Sequence, residues 1–113
     1  MRPRADDLAR LAPVFDHVET HLDEDLRIPD LARLVNVHPT YFAERFTRAV
    51  GRSLSRYIQL RRLEAGHLLL FDSTRAITAI ARETGFHDVA YFCRVFRART
   101  GTTPGAYRER GRI

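Results

Sequence analysis

A chain of 113 residues, 44% of them hydrophobic, can build one domain or two small half-domains sharing a helix, and this apolar content excludes wholesale disorder. No apolar run approaches the ~18 residues of a membrane span, and no apolar stretch follows Met1-Arg2-Pro3-Arg4 as a secretory signal would require. The net charge of +5 is unevenly spread: residues 1–30 carry four arginines against eight acids, and residues 31–113 fifteen against six. A basic body of this kind suits a polyanion, because each neutralised phosphate releases counterions. Charge alone leaves an ordinary solvated basic surface equally open. Every basic residue among the nineteen is arginine, whose planar fork fits phosphate and guanine. A single cysteine, Cys93, excludes an intramolecular disulfide and a cysteine metal cluster, and a reducing cytoplasm is expected.

In chain order, Pro13 to Leu22 is predicted as an amphipathic helix with Val14, Val18 and Leu22 on one side. Ile28 to Val35 follows with helical apolar spacing, Pro29 being tolerated in its first turn and Asn36 suited to a left-handed stop. Pro39 starts the next helix after His38, a poor cap, and Gly51 stops it after Val50. Ser53 is placed to cap a long helix over Leu54 to Phe71, ended by Asp72-Ser73-Thr74. Gly66 inside it should cost about 1 kcal/mol against alanine unless a close helix contact needs it. Ile77 to Thr84 ends at Gly85, Asp88 is a good N-cap for a helix from Val89 to about residue 99, and Thr103-Pro104 opens a short last helix through Tyr107. The pattern holds no strand and amounts to seven helices.

An internal repeat organises these elements. Leu31-Ala32-Arg33 recurs 49 residues later as Ile80-Ala81-Arg82. Beyond that the offset is 50, pairing Tyr41-Phe42 with Tyr91-Phe92, Phe46 with Phe96, Gly51 with Gly101 and Tyr57 with Tyr107. One residue is therefore inserted between matched stretches, and it must lie in a turn. Each copy reads as helix, turn, helix and glycine stop.

On a helical wheel, Phe42, Phe46 and Ala49 share a buried side, with Thr40, Ala43, Glu44 and Thr47 opposite. The second copy places Phe92 and Phe96 inward and Ala90, Cys93, Arg94 and Arg97 outward. A short helix braced crosswise through a tight turn is the arrangement that enters a major groove.

The sequence resembles the DNA-binding domain of the AraC/XylS family of bacterial transcription regulators. The likeness rests on Leu31-Ala32, Tyr41-Phe42, Arg45-Phe46, Gly51-Arg52-Ser53, Tyr57-Ile58, Arg62 and Leu69-Leu70. Above all it rests on Ile80 to Asp88 running into Tyr91-Phe92-Cys93-Arg94-Val95-Phe96-Arg97, then Gly101-Thr102-Thr103-Pro104 and Tyr107-Arg108. The resemblance implies an all-α, homeodomain-like tandem: seven helices, with a long central helix joining two helix-turn-helix units. It implies recognition helices in successive major grooves, one helical turn (~34 Å) apart. The domain is expected over 14–108, with the first unit near 28–50, the linker helix near 54–71 and the second unit near 77–99. Residues 1–13 are expected to be an extension and 109–113 a tail. Family base-reading positions fall on Thr40, Ala43 and Glu44, then on Val89, Ala90, Cys93 and Arg94; Thr47, Arg48, Arg52 and Arg97 are backbone candidates. His38 and Arg27, where a serine cap is usual, and Gly66, where alanine is usual, depart from the family pattern.

Arg94 is the candidate for bidentate guanine recognition, with a phosphate contact as the lesser alternative. Glu44 suits cytosine N4 or an ion pair with Arg48. His17 and His21 have metal spacing but no third ligand motif, so a solvated face is the better reading, and no metal or cofactor is expected. Cys93 lacks a resolving thiol and reads as a small van der Waals contact. No paired carboxylates, nucleophile elbow or phosphate loop is present, and no enzyme is expected. Sequence-specific double-stranded DNA binding and transcription regulation follow, activation being favoured over repression, in the nucleoid of the cytoplasm. RNA polymerase is an expected partner, as is an effector-binding or dimerisation domain of a longer regulator, this chain reading as its C-terminal fragment. The competing class is a helical protein-interaction module using the acidic stretch Asp16 to Asp30.

Overall fold

A computed structural model describes residues 5–72 and 74–111, so Met1 to Arg4 and Ser73 of the expected helix stop lie outside the described residues. The described residues form eight helices: α1 (Ala5–Arg10), α2 (Ala12–Thr20), α3 (Ile28–Arg33), α4 (Pro39–Val50), α5 (Leu54–Asp72), α6 (Ile77–Glu83), α7 (Val89–Thr100) and α8 (Pro104–Gly111). Seven were expected, and the addition is α1, inside the segment read as an extension. Six residues are too few to show a periodicity. Asp6 and Asp7 in its first turn and Arg10 in its last complement the helix dipole. Leu11, at the junction with α2, is 6% exposed and anchors the segment in a core. The last helix also outruns its expected end at Tyr107 and reaches Gly111, into the expected tail.

The chain divides into two compact units, residues 1–59 and 60–113, with α5 running out of the first and into the second. The first is built around Val14 and Val18 of α2, Leu31 and Ala32 of α3, Phe42, Phe46 and Ala49 of α4, and Leu54 and Ile58 of α5. Its rings form a connected set: Phe46 lies 6.1 Å from Phe15, 6.1 Å from Phe42 and 5.5 Å from Tyr57. The second gathers Leu63 and Leu70 of α5, Ile80 and Ala81 of α6, and Phe92 and Phe96 of α7, with Phe86 from the turn. Here Phe96 lies 5.8 Å from Phe92 and 5.7 Å from Tyr107, repeating the first set at the 50-residue offset. His67 of α5 joins that ring cluster and is hydrogen-bonded to the Tyr107 hydroxyl.

Both turns close in one way. In the first, Asn36 takes a φ of 56°, with Asn36 N–H bonded to Arg33 O and Val37 N–H to Ala32 O. In the second, Gly85 takes a φ of 95°, with Gly85 N–H to Arg82 O and Phe86 N–H to Ala81 O. This is the Schellman stop, with the residue after the left-handed one turned into the core. Both stops keep the 49-residue offset through Val37 and Phe86. The N-caps of the next helices, His38 and Asp88, are already 50 apart. The inserted residue is therefore His87, exposed and in the turn, where insertion disturbs no packing.

Gly66 has the close contact that its position calls for. A Cβ built there would stand 2.9 Å from Phe92 Cε1 and 3.1 Å from Cζ, and Phe92 is fully buried. Gly66→Ala gains about 1 kcal/mol of helix propensity, yet must displace a ring with no free space, which costs about 1–3 kcal/mol. The expected net result is a loss of about 1 kcal/mol, removed when Phe92 is shortened to leucine. Denaturant midpoints of the two single variants and the double variant check this.

Candidate nucleic-acid interface

In each unit one twelve-residue helix, α4 or α7, follows the Schellman turn and ends at a left-handed glycine, Gly51 with φ 88° or Gly101 with φ 83°. Both helices are started by a side chain. The Thr40 N–H donates to His38 Nδ1 at 3.2 Å, and the Ala90 N–H to Asp88 Oδ1 at 2.9 Å. His38 thus does cap, through the nitrogen that carries no proton, over a longer bond than the carboxylate makes. At α5, Ser53 Oγ accepts from Arg56 N–H at 3.2 Å, and at α8 Thr103 Oγ1 accepts from Ala106 N–H at 3.2 Å. Arg27, the N-cap of α3, makes no capping bond and instead donates Nε–H to Asp25.

On α4, Phe42, Phe46 and Ala49 are buried while Thr40, Glu44, Thr47 and Arg48 are exposed and Ala43 is half-buried. Thr47 Oγ1 donates to the Ala43 carbonyl at 3.0 Å, which spends its only proton on its own helix. No ion pair joins Glu44 to Arg48 among the described residues, so the carboxylate is free toward solvent. Arg48 and Arg52 are exposed and unpaired in the same sense.

On α7, Ala90, Arg94 and Arg97 are exposed. Val89 and Cys93 are only half-buried, because both pack against the second core. The Cys93 thiol is free, and it lines a shallow surface hollow with Arg94, Arg97, Ala98 and Thr103. The Arg94 guanidinium lies over the Tyr91 ring, 5.4 Å from its centroid, one turn back along the helix. That stack is worth about 0.5–1 kcal/mol at an exposed site and narrows the rotamers of a long side chain. Tyr91 belongs to the repeat and to the family pattern but is not among the site residues read from the sequence, although its spacing of three from Arg94 is the available signal.

The two outward faces therefore differ in charge. The face of α4 offers hydroxyls, a methyl group and a carboxylate, whereas that of α7 offers two guanidinium groups that form no ion pair among the described residues. Away from these faces, His17 and His21 are stacked at 3.9 Å. The His21 Nδ1 proton is donated to the His17 carbonyl at 2.8 Å, which takes that nitrogen out of use as a metal ligand. Among the described residues no three histidine, cysteine or acidic side chains are grouped to hold a metal.

The helix-turn-helix domain family matches residues 31–110. The regulatory protein PocR of Salmonella typhimurium is 34% identical over 101 residues, covering 89% of this chain and 33% of PocR. The HTH-type transcriptional regulator YobQ of Bacillus subtilis is 33% identical over 93 residues, covering 82% of this chain and 39% of its own length. The chain thus spans 33–39% of these two curated relatives. Among solved structures, the DNA-binding domain of AdpA, crystallised with a target DNA, superposes with a TM-score of 0.85 at 26% identity, over 91% of this chain and 93% of that one. A regulator with an AraC-type DNA-binding domain from Chromobacterium violaceum superposes with a TM-score of 0.85 at 24% identity, over 96% of each chain, a likeness of fold.

Proposed function

The chain belongs to the AraC-type helix-turn-helix family of transcriptional regulators, and from that premise we propose that it binds double-stranded DNA sequence-specifically through α4 and α7 and thereby regulates transcription. The observation that carries this reading is the outward face of α7, where Ala90, Arg94 and Arg97 stand exposed on a helix fixed by its cap, its glycine stop and two core phenylalanines. Arg94 is the guanine reader, Ala90 a neighbour suited to a thymine methyl, and Arg97 a phosphate contact. Val89 and Cys93, half-buried, contribute at most their exposed edges. On α4, Thr40, Ala43 and Glu44 face base edges, and Thr47, Arg48 and Arg52 serve the backbone. Thr47 must first release its bond to Ala43 before it can donate to a phosphate. The first unit, with fewer charged readers, serves more for positioning, and the second sets more of the specificity.

Regulation through a longer polypeptide, with an effector-sensing or dimerisation domain, is supported by the length of relatives such as PocR. Activation is the favoured sign. Asp16, Glu19, Asp23, Glu24 and Asp25 are exposed on α2 and the loop after it, an acidic surface suited to a basic patch of RNA polymerase. The same surface is what a protein-interaction module would use were DNA binding secondary. The reading places the protein at the chromosome, in the cytoplasm, with no catalytic step of its own.

Titration against random duplex DNA separates the two readings. Binding is expected at low salt, with log affinity falling steeply and linearly against log salt, and tighter binding to a selected site by about 10³-fold or more. Absence of binding to any duplex at low salt would reject the DNA reading in favour of the protein-interaction module.

A further inference from the structure

Tyr41, Arg45 and Arg48, at positions i, i+4 and i+7, form a line along one flank of α4, between its exposed and buried sides. The corresponding positions of α7 are Tyr91, Val95 and Ala98, so the basic flank belongs to the first unit alone. Arg45 is held at two points. Its guanidinium lies 5.3 Å from the Tyr41 ring centroid, and its Nη2 is 3.8 Å from Asp7 Oδ1 of α1. Both ends of that ion pair remain partly open to solvent, with the side chains 40% and 31% exposed. Around them α1 packs on α4 and leaves a half-open groove lined by Asp7, Arg10, Leu34, Tyr41 and Arg45.

A helix seated in a major groove meets phosphates along its flanks, and an arginine there contacts the backbone without reading sequence. Asp7 supplies a carboxylate oxygen to the very nitrogen that a phosphate oxygen would take. We propose that Arg45 is a phosphate contact of the first unit and that α1 is an acidic strap, with Asp7 standing in for the phosphate until DNA displaces it. The proposal rests on the DNA-binding reading above. Tyr41 keeps the guanidinium in place through the exchange. Because Leu11 anchors the end of α1 in the core, the strap shifts without detaching. Exposed ion pairs are weak, so the strap trims affinity by about two- to five-fold and does not abolish it.

The test is a double-mutant cycle in the full chain, read as affinity for duplex DNA and as the slope of log affinity against log salt. Asp7→Asn is expected to raise affinity about two- to five-fold on specific and random duplex alike. Arg45→Gln is expected to lower affinity on both duplexes and to reduce the salt slope by about one, and Arg45→Lys to restore the slope. In the Arg45→Gln background Asp7→Asn should give no gain. Asp6→Asn, the same charge change at an exposed neighbour, should give less than Asp7→Asn. The strap is overturned if Asp7→Asn gives the same gain with and without Arg45, or no gain at all, or if Arg45→Gln leaves the slope unchanged while its melting temperature stays at the wild-type value. Wild-type protein that binds no duplex rejects the DNA reading itself, a different result from binding without coupling.

Discussion

Phe46→Ala is expected to cost about 3–5 kcal/mol and to remove DNA binding together with the fold of the first unit. Phe46 is fully buried, and its ring touches those of Phe15, Phe42 and Tyr57, drawn from α2, α4 and α5. Truncation leaves a cavity at the meeting point of three helices, and the remaining rings cannot all close on it. Against the 5–15 kcal/mol that holds a typical small domain, a loss of this size leaves little. Because Phe46 sits on the helix that carries Thr40, Ala43 and Glu44, the proposed reading face goes with the core. The repeat makes a matching expectation for Phe96→Ala, whose ring meets Phe92, His67 and Tyr107. Denaturant unfolding followed by far-ultraviolet circular dichroism checks both. A loss under 1 kcal/mol in either variant would mean that its ring cluster does not organise its unit.

Arg94→Ala is expected to flatten the preference at one base pair, by about 1–3 kcal/mol or roughly ten- to a hundred-fold, with the rest of the site still read. Arg97→Ala should instead weaken all sequences alike and lower the salt slope by about one. The contrast follows from position. Arg94 is drawn back along α7 by the Tyr91 stack, toward the N-terminal end of the helix, the end proposed to meet base edges, while Arg97 stands a turn further on with no such stack among the described residues. Tyr91→Leu should therefore blur the same base pair as Arg94→Ala, to a smaller degree. A binding selection on randomised duplexes reads all three. An unchanged base profile for Arg94→Ala would strip that residue of its role as a reader.

Most of the local architecture was legible without coordinates. The 49- and 50-residue offsets demanded a turn insertion, and the Schellman bonds place it at His87. Gly51, Gly85, Gly101 and Asn36 were readable as stops because a left-handed φ is a property of one residue. Asp88, Ser53 and Thr103 were readable as helix starts because a cap reaches only two or three residues. The buried and exposed faces of α4 and α7 followed from periodicity alone. His38 was undervalued, since its capping depends on which ring nitrogen is turned to the backbone.

What stayed hidden depends on partners distant in the chain. Gly66 reads as a helix defect unless a close contact needs it, and that contact is Phe92, 26 residues on. Cys93 sits on the outward side of the wheel and Val89 at a family base-reading position, yet both lean onto the second core. α1 was too short to announce itself, and its Asp7 meets Arg45 only because Leu11 ties the segment down. The sequence by itself determined two braced helices with glycine stops and a basic body, because those depend on residue type and spacing. Only the tertiary structure decided which arginines are stacked, paired or free, because that depends on what packing brings within a few ångströms of each guanidinium.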